Sequence, residues 1–217
     1  MGINYPVYLF SKTPFAGVIH IPIIQTLYYR VTINIAQYDL IVLTSKEALN
    51  ALEYNRIEWQ SVDVIAVSDV TAKYVDSKGG HVAACANGYG ESLYDVIMKN
   101  YTDRRIVFPS ARVLAGDFAR RLQDAGVAIE IVTIYETRCS DCLGINTIEE
   151  DAVLAFSSPS GVACFMKYFK FLPTHKIAVI GTTTARALPA DVTSNIAVSP
   201  SIKSLVALAQ KLAVSDL

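Results

Sequence analysis

The chain has 217 residues, 52% of them hydrophobic, with a mean hydropathy of +0.34 and a formal net charge of −1. That length accommodates two lobes of about 100 residues, and the apolar content suits sheets buried on both faces. The footprint of a nucleic-acid binder is missing, because no Lys/Arg block stands out; no apolar run reaches the ~18 residues of a membrane span; and Met1–Val7 carries no basic leader, so a cytoplasmic location is expected.

In chain order, the apolar runs predict strands at Val7–Phe10, Val18–Ile24, Leu40–Thr44, Val64–Val67, Val82–Cys85, Ile106–Phe108, Ile129–Ile134, Val153–Phe156, Ile177–Ile180 and Asn195–Val198. Helical patterns fill most of the gaps, including one over Val113–Ala125. Alternating β and α of this kind argues for parallel sheets.

The chain also repeats itself. Asp39–Ser45 recurs as Ala152–Ser158, and Val64–Ala72 recurs as Ile177–Ala185, so that Ser45 matches Ser158 and Thr71 matches Thr184 at the same offset of 113 residues. A constant offset marks a duplicated α/β unit. A weaker echo pairs Arg105–Ser110 with Pro6–Ser11 and Gly126–Ile134 with Gly17–Ile24. The expected layout is two lobes, residues 1–27 with 138–217 as lobe 1 and residues 28–137 as lobe 2. The chain would cross between them at Gln25–Gln37 and Tyr135–Asp151, two segments able to lie side by side as a hinge. The segment Ser11–Ala16 is too short, and too interrupted by Pro14, for the helix expected over Val113–Ala125 in the other copy.

Cys139 and Cys142 form a C-x-x-C pair, but Cys85 and Cys164 supply no second pair at zinc spacing. The four are expected to be reduced thiols, and His20, His81 and His175 to be isolated structural or surface residues. No metal or cofactor site is expected.

Strand after strand ends in small hydroxyl residues: Thr44-Ser45, Ser110, Ser157-Ser158 with Ser160 and Gly161, Thr182–Thr184, and Ser199 with Ser201. Such residues cap helices and leave first-turn N–H groups outward, where they either serve capping alone or receive anions. There is neither a Walker-type phosphate loop nor a G-x-S-x-G elbow, which disfavours nucleotide binding and covalent hydrolysis. Tyr135 ends the last strand of lobe 2, where its phenol is either a hinge-packing aromatic or a proton donor.

Taken together, Tyr38-Asp39 with Val42–Ser45, Ala66–Ser68 with Thr71-Ala72, Phe108–Ser110, Tyr135–Thr137, Phe156–Val162 and Ile180–Ala185 resemble uroporphyrinogen-III synthase over nearly the whole chain. The resemblance implies a HemD-like α/β fold, two flavodoxin-like parallel-sheet lobes joined by a two-stranded hinge. It also implies a reaction without metal or cofactor: cyclisation of hydroxymethylbilane, a linear tetrapyrrole polycarboxylate, to uroporphyrinogen III with loss of water and inversion of ring D. By the same resemblance Tyr135 is the proton donor. Thr71 and Thr184 would face each other across the cleft, and Ser45, Ser110, Ser158, Ser160, Gly161 and Thr183 would bind substrate. A monomer is expected, with at most transient contact with the preceding pathway enzyme. The alternatives are a two-lobed small-ligand-binding module and a catalytically degenerate synthase homologue. Ser68 departs from the family, which usually has Gly there.

Overall fold

Short apolar runs closed by a hydroxyl residue become central strands throughout the chain. The computed structural model describes residues 4–88, 90–114, 116–141 and 147–214. Its elements are β1 (Val7–Phe10), β2 (Ile19–Ile21), β3 (Ile24–Tyr28), β4 (Leu40–Leu43), α1 (Lys46–Tyr54), β5 (Asp63–Ala66), α2 (Asp69–Ser77), β6 (Val82–Cys85), α3 (Gly90–Asn100) and β7 (Ile106–Ala111). There follow α4 (Phe118–Asp124), β8 (Ile129–Cys139), β9 (Val153–Phe156), α5 (Pro159–Tyr168), β10 (Lys176–Val179), α6 (Thr182–Ala185), β11 (Asn195–Ile196) and α7 (Ile202–Ala213).

Two compact units emerge, unit 1 of Met1–Gln25 with Thr137–Leu217 and unit 2 of Thr26–Glu136. The sheet of unit 1 has the order β11-β10-β9-β1-β2, with each neighbouring pair parallel, as in Phe10 opposite Phe156. The second sheet runs β3-β8-β7-β4-β5-β6. Apart from β3, it repeats the spatial order of the first with a cyclic shift along the chain: β8, β7, β4, β5 and β6 stand where β2, β1, β9, β10 and β11 stand in unit 1. Strands that share the 113-residue offset, β4 with β9 and β5 with β10, thus hold equivalent places.

Both faces of each sheet are covered, which is why the strands read as unbroken apolar runs. In β1, Tyr8 and Phe10 pack to one side with Phe156 and Phe165, while Val7 and Leu9 pack to the other with Leu205 and Ala209. Phe10 and Phe156 stack at 4.8 Å between ring centres, and Phe165 meets both edge-on. In β4, Leu40 and Val42 face the core with Phe108 and Phe118, while Ile41 and Leu43 face Leu52 and Trp59. Gly80 lets the Trp59 ring approach, since a Cβ there would lie 2.3 Å from one of its ring carbons.

Several boundaries differ from expectation for local reasons. The run Val18–Ile24 divides into β2 and β3 at Pro22, which has no N–H to give a ladder, and the Ile23 N–H turns back to the Ile21 carbonyl. Strand β7 continues through Pro109 to Ala111, because its pairing with β4 ends at Val107 and leaves Pro109 no ladder bond to break on that side. The helix expected over Val113–Ala125 forms only at Phe118–Asp124. No helix links β1 to β2.

The expectation of four reduced thiols is corrected. Cys139, ending β8, and Cys164, on the buried face of α5, form a disulfide with a Cα–Cα distance of 5.3 Å. Both belong to unit 1, where the same core holds them together. A separation of 25 residues carries no motif, so this pairing was invisible in the sequence. Cys85 is free and exposed, and Cys142 lies outside the described residues.

Candidate active site

In unit 2 the carboxyl ends of β4, β5 and β7, with Tyr135 of β8, open onto a cavity of about 470 Å³, the place where open parallel sheets bind ligands. Its walls include Thr44 and Ser45 after β4, Val67 after β5, Phe108 and Ala111 of β7, and Tyr135 of β8.

Tyr135 reaches this wall through a local irregularity. Opposite β7, Thr133 pairs with Ser110 but Tyr135, not Ile134, pairs with Ala111, so β8 carries one extra residue. Such a bulge rotates the following side chains and re-aims them. Ile134 and Tyr135 consequently pack in the same core cluster, whereas neighbours in a regular strand face opposite sides of the sheet. The Tyr135 carbonyl also accepts from the Arg112 N–H at 2.8 Å.

The environment of the phenol fixes its protonation. Burial pushes it above its ordinary range, the Ser45 hydroxyl beside it pulls it back, and the Glu47 carboxylate raises it again. At neutral pH Tyr135 therefore holds its proton and is available as a donor. Ser45 itself is the N-cap of α1, accepting from the Glu47 N–H at 3.0 Å.

The remaining hydroxyl residues separate into four kinds. Ser158 caps α5 by accepting from the Gly161 N–H at 3.1 Å, with Pro159 and an exposed Ser160 in the first turn and Gly161 buried behind them. Thr71 and Thr184 lie in the first turns of α2 and α6, 5% and 2% exposed, and Thr71 also faces the capping Ser68 hydroxyl. Thr183 is exposed on α6, whose N-cap is Gly181 with no side-chain bond. Ser110 corrects the expectation of a helix cap: it lies inside β7, 1% exposed, and donates to the Val132 carbonyl at 3.5 Å. Unit 2 thus brings Ser45 and Tyr135 to one cavity wall, and unit 1 gathers Ser158, Ser160 and Gly161 at one helix start.

The family model described as uroporphyrinogen-III synthase HemD matches residues 13–207. The chain belongs to the uroporphyrinogen-III synthase family. It is an enzyme of this type, acting in porphyrin and haem biosynthesis. Among solved structures, uroporphyrinogen-III synthetase from Helicobacter pylori 26695 is similar in fold, with a TM-score of 0.80 and 22% identity over 96% of this chain and 99% of that one. A mutant uroporphyrinogen III synthase from the extremely thermophilic bacterium Thermus thermophilus is also similar, with a TM-score of 0.53 and 16% identity over 78% of this chain and 77% of that one. No curated protein sequence matches the chain.

Sequence reasoning confined to hydroxyl residues passed over Glu47, which sits two residues into α1 with its carboxylate near the synthase's candidate acid. Its place two residues after a capping Ser was the available signal. Among the described residues, no cluster of three or more His, Cys, Asp or Glu is placed to hold a metal ion, and no helix is long and apolar enough to cross a membrane.

Proposed function

We propose that Tyr135 is the acid with which this synthase starts ring closure. The observation that carries this reading is a buried phenol, 6% exposed, brought by a bulge onto the wall of the cavity in unit 2. Donation from the phenol to the hydroxyl of hydroxymethylbilane assists cleavage of the C–O bond, and the hydroxyl leaves as water. An electrophilic azafulvenium cation remains on ring A, balanced by the Tyr135 phenolate. The pyrrole ring D is the nucleophile, so the substrate supplies both reacting carbons. The protein must present the substituted α-carbon of ring D rather than its free one, a task of orientation and charge placement.

Orientation falls to the substrate's eight carboxylates. The first turns of α1 and α5, capped by Ser45 and Ser158, offer outward N–H groups and the positive ends of helix dipoles. This binds anions without a basic protein, in keeping with the formal charge of −1. Thr71, Thr183, Thr184, Ser160 and Gly161 extend the same kind of first turn and complete the carboxylate contacts. Ser110 acts from within β7, holding the Val132 carbonyl and with it the strand that carries Tyr135.

Strands β3 and β8 are hydrogen-bonded neighbours in the six-stranded sheet, and each runs through a boundary between units. They are the proposed hinge. A cytoplasmic monomer, receiving its unstable substrate by transient contact with the preceding enzyme, completes the reading. The test generates hydroxymethylbilane in situ, adds the protein, oxidises and separates the isomers. Predominantly type III porphyrin is expected; type I alone, at the spontaneous rate, would refute the activity.

A further inference from the structure

We propose that Tyr28 and Glu47 are positioning residues for Tyr135: the Tyr28 hydroxyl pins the Glu47 carboxylate on the first turn of α1, and the cap of that turn, Ser45, shares a cavity wall with Tyr135. The inference rests on the reading of Tyr135 as the acid and adds the side chains that hold it ready.

The geometry links four residues of unit 2. The Tyr28 hydroxyl donates to Glu47 Oε2 at 2.6 Å, the short distance expected of a phenol on a carboxylate. The Glu47 N–H donates to Ser45 Oγ at 3.0 Å, so the backbone that carries the carboxylate also fixes the hydroxyl beside Tyr135. Ser45 and Tyr135 line the same cavity. Tyr28 packs against the core cluster that contains Tyr135, which closes the circuit from β3 through α1 to β8.

The charges agree with this role. The Glu47 carboxylate opposes ionisation of Tyr135 after burial has already raised it, and Tyr28 is pushed up to about 12, first by burial and then by Glu47. Both phenols therefore stay protonated around one carboxylate. Other ionisable groups near this corner are the Arg112–Glu136 ion pair at 3.2 Å, with Glu136 next to Tyr135 in β8, Tyr29, which Arg112 also engages, Tyr74, held by Asn50 at 2.6 Å, and the cavity-lining Asp117 and Glu91, the latter paired with Arg121 at 2.6 Å. The charge that acts on the Tyr135 phenol is that of Glu47 rather than any of these. A buried donor next to a fixed negative charge is the weaker acid for it, so what Tyr28 and Glu47 supply is the placement of the Ser45 and Tyr135 hydroxyls and not acid strength.

The test is a spectrophotometric phenolate titration together with closure rates against pH. Subtracting Tyr135→Phe from wild type isolates the Tyr135 phenol, and subtracting Glu47→Gln/Tyr135→Phe from Glu47→Gln isolates it without the carboxylate. In Glu47→Gln the Tyr135 ionisation is expected at lower pH. The alkaline limb of kcat should move with it, and kcat should fall about 10-fold through misplacement of the phenol in spite of its greater acidity, less than the ~10²-fold or more expected for loss of the acid itself. Tyr28→Phe should shift both in the same direction by less. A Tyr135 titration that stays in place in Glu47→Gln would overturn the assignment, whatever the rates. If the titration moves while Tyr135→Phe retains full turnover, the coupling stands and the reading of Tyr135 as the acid fails.

Discussion

The two units solve one construction problem in two ways. Each sets five strands in the same spatial order, yet the connection between the second and first strands of that order differs. In unit 1, β1 passes to β2 without a helix; in unit 2, β7 passes to β8 through α4. The helix has a consequence for the site. Phe118 of α4 packs on Phe108 and lines the cavity, together with the approach to the helix at Gly116 and Asp117. Unit 1 instead carries its polar groups at the start of α5 and is cross-linked by Cys139–Cys164. The frame is shared, and the proposed chemistry is divided: the proposed acid lies in one copy, the proposed anion-binding helix start in the other.

That division can be tested by substitutions that strike one copy only. The largest effect is expected from Tyr135→Phe, which should lower kcat by ~10²-fold or more while leaving product affinity close to wild type; equal losses in both would make Tyr135 a binding residue. Next, Cys164→Ser opens the disulfide of unit 1. Closing a loop of 25 residues contributes about 3 kcal/mol by chain entropy, so hydrogen exchange should accelerate across β9, β10 and α5 and stay unchanged in β4 and β5. The counterpart in unit 2 is Gly80→Ala, which forces a methyl into the Trp59 ring and Val75. A loss of about 1–3 kcal/mol is expected, seen as faster exchange in α2 and β5.

Smaller still is Ser158→Ala. It removes the cap of α5, at about 1 kcal/mol, and should raise KM with little change in kcat; an effect on kcat alone would take this helix start out of substrate binding. The gentlest probe is alkali. Tyr28 and Tyr38 of unit 2 are pushed from 10.0 to about 12, chiefly by burial. Their protonated forms favour the fold, so this stabilisation is complete below about pH 10 and is lost as pH rises through about 12. Tyr8 of unit 1 is raised in the same sense, first by burial and then by Glu149. Exchange measured on raising the pH should loosen unit 2 in that window, and loosening confined to unit 1 would contradict the assignment.

What the sequence disclosed, and what it hid, follows from the range of each interaction. Leu40–Leu43 and Val153–Phe156 were legible because burial on both faces demands unbroken apolar runs. Ser45 and Ser158 were legible as caps because a cap is a local bond, made here to residues 47 and 161. The bulge that turns Tyr135 inward depends on the register of β8 against β7, a relation between distant segments. Ser110 was misplaced for a kindred reason, since β7 could outlast Pro109 only where β4 had already stopped pairing. The Cys139–Cys164 bond and the Tyr28–Glu47 contact join residues 25 and 19 apart, with no spacing rule to announce them.

The cyclic shift between the two sheets also sets an order of assembly. Unit 2 is one continuous stretch, Thr26–Glu136, and can close its core as soon as that stretch has left the ribosome. Strand β1 is made first but lies between β2 and β9, and Val153 comes 143 residues after Phe10. At translation rates of roughly 5–20 residues per second, one edge of that strand waits about 7 to 30 s for its partner. Strand β1 is thus made before unit 2 and sealed after it, and the growing chain carries a finished unit 2 before unit 1 is complete.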